Sequence, residues 1–324
     1  MKTIYLPHQA EPLPPCAATI GFFDGVHRGH QHLIATLKQE ARQRGLSSMV
    51  ITFAQHPRQV LQSDWQPSLL STANEKASLL EQLDIDYLVV LQFTHSMASL
   101  SAREFMNQIL SRQLHVKLLV IGYDNHFGHR SASSADNENG RSEGFNDYVE
   151  YGRELGIEVL EGRPLSLGNI RVSSSVVRRL LSEGDVKTAA MCLGHPYSLS
   201  GTVVKGEHIG TGMGFPTANL CPDDPCKLIP ATGSYAVSVL LPDSQEWLHA
   251  MTNIGTRPTF DGLQQTLETH IFNFTGSLYE QTLTLRFHHR LREERRFESV
   301  EALAAQLRLD ADQAEKLLTQ NTSL

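Results

Sequence analysis

The chain has 324 residues, a length that favours two domains over one. Its composition, 40% hydrophobic and 19% charged, is typical of a soluble globular protein, and its formal net charge of -7 gives no overall basic footprint for nucleic acid. No run of about 18 apolar residues predicts a membrane span, and the first residues lack the apolar core of a signal peptide.

The first half of the chain alternates strand and helix patterns. Strands are predicted near residues 17–23, 49–53, 87–91, 117–121 and 157–160, and helices near residues 30–43, 72–83, 101–113 and 142–155. Thr72 with Glu75 and Ser101 with Glu104 have the spacing of capping boxes, and Gly156 suits a helix C-terminus. This order predicts a parallel sheet with helices on both faces.

The second half of the chain has a different pattern. Helices are predicted near residues 174–182 and 185–192, closely spaced strands near residues 198–205, 234–240, 247–252, 267–272 and 283–287, and a final helix from about residue 299. Short strands separated by Gly, Pro and Asp favour an antiparallel barrel or sandwich. We therefore predict an α/β domain over residues 1–192 and a β-rich domain with a terminal helix over residues 193–324.

The four cysteines are Cys16, Cys192, Cys221 and Cys226, and their spacing matches no common zinc pattern. Cys221 and Cys226 flank a Pro-Asp-Asp-Pro turn, and a disulfide between them is the less favoured alternative. Reduced thiols are typical of the cytoplasm, so we expect a cytoplasmic protein.

The segment from Gly21 to His30 combines three glycines with two histidines at the junction of a predicted strand and helix. Glycines there let the backbone approach a phosphate, and the helix N-terminus offers free N–H groups. His27 and His30 can donate to the same phosphate, where charge develops during attack on phosphorus. A metal pair, or two unrelated surface histidines, remains open at this point.

The segment 171–178 places serine hydroxyls at a predicted helix start between Arg171 and Arg178, which can hold a polyphosphate. A serine-rich helix cap is the simpler explanation for the serines alone.

The segment 210–219 is rich in glycine but lacks the Gly-Lys-Ser/Thr ending of a P-loop. Thr217 and Asn219 present two oxygens on one side of an extended segment, and Mg²⁺ prefers such hard ligands. A structural hairpin is the alternative, and the residues alone favour it.

These segments together resemble those of the bacterial bifunctional riboflavin kinase/FAD synthetase family. Residues 21–30 are similar to the signature Gly-x-Phe-Asp-Gly-Val-His-x-Gly-His, and residues 171–178 to Arg-Ile-Ser-Ser-Thr-x-Ile-Arg. The runs 53–58 and 122–128 match further family positions in the same half. In the second half, residues 214–219 are similar to the kinase signature Gly-Phe-Pro-Thr-Ala-Asn, and the runs 253–260, 267–272 and 291–297 follow in the family's order.

For the first half, the resemblance implies a Rossmann-like nucleotidyltransferase domain that transfers AMP from ATP to FMN. His27 and His30 would stabilise the α-phosphate in the transition state. Flavin contacts are implied for Phe53, His56, Pro57 and Asp124. Contacts with ATP are implied for Gly21, Phe22, Asp24, Gly25, Gly29, Arg171, Ser174, Ser175 and Arg178.

Three positions depart from the family pattern in this half. Phe22 stands where Asn is common, Ser175 where Thr is common and Asn125 where an aromatic residue is usual. Ser175 keeps the hydroxyl, whereas Phe22 loses a polar side chain and Asn125 changes the packing expected around the flavin. Weakened adenylylation would leave a riboflavin kinase alone.

For the second half, the resemblance implies an antiparallel β-barrel riboflavin kinase domain that transfers the γ-phosphate of ATP to riboflavin. Glu268 would be the general base, and Thr217 and Asn219 would bind Mg²⁺ together with ATP. Further ATP contacts are implied for Lys205, Gly206, Gly210, Gly214 and Pro216. Further flavin contacts are implied for Asn253, Arg257 and Arg292.

The expected partners are therefore riboflavin, FMN, FAD and ATP, with recipient flavoproteins in addition and no nucleic acid or membrane. A flavin-binding regulator without catalysis is the alternative from another class, and the intact His27, His30 and Glu268 weigh against it. A nucleic-acid-binding barrel is weaker still, because the net charge is acidic.

Overall fold

A computed structural model describes the chain. It covers residues 1–7, 12–62, 64–123, 143–206, 214–259 and 262–321, without the side chains of residues 257–259 and 262–264. The chain forms two compact units, Met1–Val172 and Ser173–Leu324. The domain division between residues 192 and 193 stays a prediction, and each unit is described by itself.

A sheet of six parallel strands forms the centre of the first unit. The strands are Lys2–Leu6 (β1), Cys16–Ile20 (β2), Ser47–Phe53 (β3), Tyr87–Leu91 (β4), Val116–Gly122 (β5) and Glu158–Gly162 (β6). Their order across the sheet is β1-β4-β3-β2-β5-β6. The chain therefore leaves β2 toward β3 on one side and later returns to β5 on the other. The carboxyl ends of two strands at such a switch point open the crevice in which α/β proteins bind ligands.

Helices cover both faces of this sheet, as predicted. They are Arg28–Arg44 (α1), Pro57–Leu61 (α2), Ala73–Glu81 (α3), His95–Ala98 (α4), Ala102–Phe105 (α5) and Phe145–Leu155 (α6), with a 3-10 turn at Asp24–Val26 and a π-helix at Met106–Gln113. On one face, Leu37 of α1 and Leu80 of α3 pack against Val50 of β3. On the other face, Met106 and Tyr148 pack against the sheet. A hairpin of Ser166–Leu167 (β7) and Ile170–Arg171 (β8) ends the unit.

Six antiparallel strands close into a barrel in the second unit. They are Tyr197–Val204 (β9), Ala218–Pro222 (β10), Gly233–Leu240 (β11), Trp247–Thr259 (β12), Gly262–Ile271 (β13) and Thr282–Arg292 (β14), in the order β10-β13-β12-β11-β14-β9. Alternate residues point into the barrel, where Tyr197, Tyr235 and Phe287 are fully buried. The described residues of this unit also form the helices Ser174–Ser182 (α7), Val186–Leu193 (α8) and Val300–Asn321 (α9). Ala314 and Leu318 of α9 pack on its outer face.

Local sequence signals located most elements but missed some. The capping boxes at Thr72 and Ser101 are present, and Gly156 ends α6 with φ of 67°. The strands β1 and β10 were not predicted, and the barrel strands β12 to β14 are longer than expected. The predicted helix over residues 101–113 becomes a π-helix at Met106, and the predicted strand near residues 17–23 ends at Ile20.

Candidate active sites

The turn that follows β2 lies at the carboxyl edge of the sheet and has an unusual backbone. Phe23, Gly25 and Val26 have φ of 54°, 73° and 39°. Glycine adopts such values without steric cost, but a β-branched residue does not, and each strained residue costs about 1–3 kcal/mol. The turn therefore stores strain at the position where the sequence predicted phosphate binding.

The turn leads into α1, where His27 and His30 stack on each other. Their ring centroids lie 3.6 Å apart, with 15° between the planes. His27 is the N-cap of α1, and its Nδ1 atom accepts a hydrogen bond from the backbone N–H of His30 at 3.2 Å. In neutral His27 the proton is therefore on Nε2, which can donate to a ligand.

His30 is held in its neutral form by its surroundings. Burial, then His27 and then Lys76, hold the pKa of His30 well below its usual range. Its Nδ1 atom is buried without a hydrogen-bond partner among the described residues. A neutral imidazole still carries one N–H donor, so the pair can serve as donors to an anion.

Asp24 holds the turn in place through hydrogen bonds with a neighbouring segment. Its carboxylate accepts hydrogen bonds from the backbone N–H groups of Leu70 and Ser71 at 3.0 Å, and the Ser71 hydroxyl accepts from the N–H of Gly25 at 2.9 Å. Asp24 is 3% exposed, so these bonds compensate for its burial. The direct ATP contact implied for Asp24 stays a prediction.

Lys76 of α3 is a residue that the sequence analysis did not single out. Its ammonium group donates to the carbonyl of Phe22 at 3.1 Å and to the carbonyl of Phe53 at 3.3 Å. The same nitrogen lies 4.1 Å from the ring centroid of Phe22. The only sequence signal was its spacing from Leu80, which puts a lysine on the buried face of the helix.

Aromatic rings line the crevice beside this turn. The ring of His56, which caps α2 at Pro57, lies 4.8 Å from the ring of Phe22 and 4.8 Å from that of Trp65. Phe53, the last residue of β3, contacts Phe93 at 5.7 Å. The structure thus brings the candidate flavin residues of this half to the same sheet edge as Phe22. Asp124 lies outside the described residues.

The segment 171–178, for which phosphate contacts are predicted, crosses the boundary between the two units in the sequence. Arg171 ends the hairpin of β7 and β8, and its guanidinium lies 3.9 Å from the ring centroid of Tyr123. Ser173 is the N-cap of α7 and accepts from the N–H of Val176, so capping accounts for Ser173 alone. Ser174 and Ser175 form the first turn of α7, followed by Arg178.

In the barrel, three candidate residues occupy one row across three strands. Asn219 of β10 lies directly opposite Glu268 of β13, and Glu268 lies directly opposite Asn253 of β12. Directly opposed residues point to the same side of a sheet. Leu267 and Thr269 on either side of Glu268 point inward, so this row is on the outer face of the barrel. Thr217 precedes Asn219 by two residues and lies just before the start of β10.

The backbone around Thr217 is held by a second residue that the sequence analysis did not assign. The Nδ1 atom of His270 lies 2.8 Å from the carbonyl oxygen of Pro216, and its ring packs edge-on against Phe215 at 5.1 Å. A cavity of about 240 Å³ adjoins Thr217 and is also lined by Phe274, Leu278 and Tyr279. Thr217 therefore borders an open, partly apolar pocket.

The glycine-rich segment is described at its two ends. Gly206 packs so closely on Asn219 that a Cβ atom there would collide with the side-chain amide. Lys205 is exposed, and Gly214, with φ of 82°, forms a turn before Pro216. Gly210 lies outside the described residues.

Two arginines were predicted to contact the flavin in this unit. The guanidinium of Arg292 forms an ion pair with Asp310 of α9 at 2.9 Å, and Asp310 also accepts from Gln306 at 2.8 Å. Arg292 therefore joins β14 to α9, and its flavin contact stays a prediction. Arg257 lies in β12, with its side chain outside the described residues.

A carboxylate in the segment after β14 also approaches the row. The position that a Cβ atom of Gly255 would take is 2.8 Å from Oε1 of Glu294 and 3.3 Å from Nδ2 of Asn253.

No group of three or more His, Cys, Asp or Glu side chains that could hold a metal occurs in the described part of the chain. All four cysteines are free thiols.

Two family models match the chain. One, described as FAD synthetase, spans residues 9–176, and the other, described as riboflavin kinase, spans residues 193–318. The first covers the strained turn and the start of α7, and the second covers the barrel.

Similar proteins match nearly the whole chain. A bifunctional riboflavin kinase/FMN adenylyltransferase of Escherichia coli (strain K12) is 35% identical over 96% of both chains. One of Pseudomonas fluorescens is 37% identical over 93% of both. The solved structure of a Streptococcus pneumoniae chain described as a macrolide-efflux protein has a TM-score of 0.84 at 30% identity, over 97% of this chain and 98% of that chain.

Within the residues described, no helix here has the length and apolar character needed to cross a membrane.

Proposed function

The chain belongs to the family of bifunctional riboflavin kinase/FMN adenylyltransferases, and we propose that the strained turn and the barrel row carry its two reactions separately. The protein phosphorylates riboflavin to FMN with ATP, and adenylylates FMN to FAD with ATP, releasing pyrophosphate. The observation that best supports this division is the presence of two separate clusters of candidate catalytic residues: the stacked His27 and His30 after β2, and the row that contains Asn219 and Glu268 in the barrel.

In the adenylylation step, a phosphate oxygen of FMN attacks the α-phosphorus of ATP, and the bond to pyrophosphate breaks. Negative charge increases on the nonbridging oxygens of the α-phosphate. The N–H groups of His27 and His30 donate to these oxygens, and the N-terminus of α1 adds its positive dipole end. Positioning and charge stabilisation suffice, so no covalent enzyme intermediate is required.

Other residues of the first reaction bind and orient the substrates. Gly21, Gly25 and Gly29 would let the backbone approach the phosphates at the start of α1. Arg171, Ser174, Ser175 and Arg178 hold the β- and γ-phosphates. Phe53, His56 and Pro57 border the flavin ring, a role that the aromatic lining at this sheet edge supports.

In the kinase step, the ribityl 5′-hydroxyl of riboflavin attacks the γ-phosphorus of ATP, and ADP leaves. A primary alcohol is a poor nucleophile, and a positioned base that takes its proton contributes typically about 10²- to 10⁴-fold. Glu268 is the base, and its place between Asn219 and Asn253 supports this role. Asn253 orients the flavin end of the reaction.

ATP-dependent enzymes of these two classes need a divalent metal, and we assign Mg²⁺ to the kinase site. Thr217 and Asn219 would hold it, because a hydroxyl and an amide oxygen suit a hard cation. When bound, the metal neutralises charge on the transferring phosphate. The close packing of Gly206 on Asn219 supports a fixed orientation for that amide.

The cavity beside Thr217 is assigned to the base of ATP. It adjoins Thr217, a proposed metal ligand, and this proximity supports the assignment. Phe274 and Leu278 offer apolar surface to a planar ring.

Transfer of product to recipient flavoproteins and a cytoplasmic location stay predictions; the free thiols fit the latter.

Incubation with riboflavin, ATP and Mg²⁺, followed by chromatographic separation of flavins, tests this function. We expect FMN first and FAD later. FMN without FAD would leave only the kinase, whereas the absence of both would contradict the proposal. Repeating the assay with Mn²⁺ in place of Mg²⁺ tests the metal assignment.

A further inference from the structure

A buried lysine joins the ends of the two strands that frame the adenylylation site. Lys76 is 6% exposed, and its ammonium group bridges the carbonyls of Phe22, just after β2, and Phe53, the last residue of β3. The hydroxyl of Thr52 donates to the same Phe22 carbonyl at 3.1 Å. Both bridged residues belong to segments assigned above to ATP and flavin.

Burial of an ammonium group is costly for folding. Taking such a charge out of water costs several kcal/mol, and lysines are almost never fully buried unless they are paired. Within the described residues, Lys76 has no carboxylate within ion-pair distance, and main-chain carbonyls and the ring of Phe22 surround it instead. An apolar side chain would fill this place without that cost, so the lysine points to a role other than stability.

The position of the bridge suggests the role. The carbonyl of Phe22 immediately precedes Phe23, the first residue of the turn with positive φ, and this turn ends at His27. A strained turn keeps one geometry only when its surroundings fix both ends. Asp24 fixes its middle through Leu70 and Ser71, and Lys76 fixes its start.

We propose that Lys76 is a positioning residue for adenylyl transfer, which joins β2 to β3 so that the turn directs His27 and His30 at the α-phosphate. The proposal rests on the function assigned above to this turn. Lys76 acts through the main chain and touches neither the substrate nor the phosphates. A misplacement of about 1 Å caused by a change away from the reacting atoms can cost about 10²-fold in rate.

The charge of Lys76 should make the first reaction sensitive to alkaline pH. Burial lowers the pKa of Lys76 to about 8, while the facing carboxylate of Asp24 raises it. The other titratable groups nearby are His30 of α1, which stays neutral, and His56, whose ring centroid lies 4.8 Å from that of Phe22. An uncharged amine holds two carbonyls more weakly, so FMN adenylylation should fall as pH rises through about 8.

The test compares Lys76→Met and Lys76→Arg with Lys38→Met. Lys38 of α1 also donates to a main-chain carbonyl, that of Leu83, but away from the turn. For Lys76→Met we expect about a 10²-fold lower kcat for FMN adenylylation with a smaller change in KM, and unchanged riboflavin phosphorylation. Lys38→Met should behave as wild type, and Lys76→Arg should recover part of the rate and lose the alkaline decline, because arginine stays charged.

Several results would overturn the proposal. These are a wild-type kcat in Lys76→Met, an equal loss in Lys38→Met, or an alkaline decline that persists in Lys76→Arg. If Lys76→Met does not fold, the pH profiles of wild type and Lys76→Arg decide the matter. If the wild-type protein makes no FAD from added FMN, the function assigned to the turn fails instead.

Discussion

The two sites use different parts of the polypeptide. In the first unit, the proposed site depends on the backbone: one contiguous turn, three residues with positive φ and two stacked imidazoles at a helix start. In the barrel, the proposed site depends on side chains from three strands that the sheet register places in one row. A contiguous site is visible in the sequence as a motif, whereas a row across strands is visible only once the register is known.

Glu268→Gln should give the largest effect and separate the two sites. The amide cannot take a proton, so riboflavin phosphorylation should fall by up to about 10⁴-fold. Added FMN should still be converted to FAD at the wild-type rate. Both rates can be measured by flavin chromatography, and a comparable loss of FAD formation in a folded variant would refute the assignment.

The double substitution His27→Ala and His30→Ala should have the opposite selectivity. Loss of a single donor of this kind costs about 10²–10³-fold, so FMN adenylylation should fall by roughly 10³-fold or more. Riboflavin phosphorylation provides the internal control, since the barrel does not contain either histidine. Near-normal FAD synthesis would show that the histidines do not stabilise the transferring phosphate.

Gly206→Ala tests how far the barrel site depends on side-chain position. The new methyl group would collide with the amide of Asn219 and displace a proposed metal ligand. We expect a loss of about 10- to 10²-fold in riboflavin phosphorylation, together with a higher Mg²⁺ requirement. A variant with unchanged Mg²⁺ dependence would argue against Asn219 as a ligand.

The smallest effect concerns the stability of the barrel. Burial, followed by nearby His289, Arg286 and His249, lowers the pKa of His288 from 6.5 to about 4, and its Nε2 atom lies 2.7 Å from the Ser238 hydroxyl. Between these values the unfolded chain binds more protons than the folded one, so the free energy of unfolding should fall as pH decreases from 6.5 toward about 4.

His288→Gln should reduce this pH dependence. Denaturant unfolding of both proteins at about pH 7 and at about pH 5 measures it. The difference between the two pH values should be smaller in the variant. An equal difference would mean that other groups, such as His289, dominate.

Local signals predicted much of the fold, because capping boxes, glycine C-termini and hydrophobic periodicity are encoded within a few residues. The strands β1 and β10 were not predicted, because they are short and are completed by pairing with distant strands. Lys76 and His270 were not identified from the sequence. Each forms a hydrogen bond with a main-chain carbonyl far along the chain, and no residue pattern marks such an acceptor. The alignment of Asn219, Glu268 and Asn253 in one row could be recognised only from the register of the strands, which the sequence does not reveal.

The most direct test of two separate sites mixes two variants that each lack one of the two reactions. Glu268→Gln and the double histidine variant are incubated with riboflavin, ATP and Mg²⁺, first alone and then together. Alone, the first should make neither product and the second only FMN; together they should make FAD, because FMN released by one is a substrate for the other. FAD from either variant alone, or none from the mixture while each retains its expected half-reaction, would contradict the division of the two reactions between the turn and the barrel.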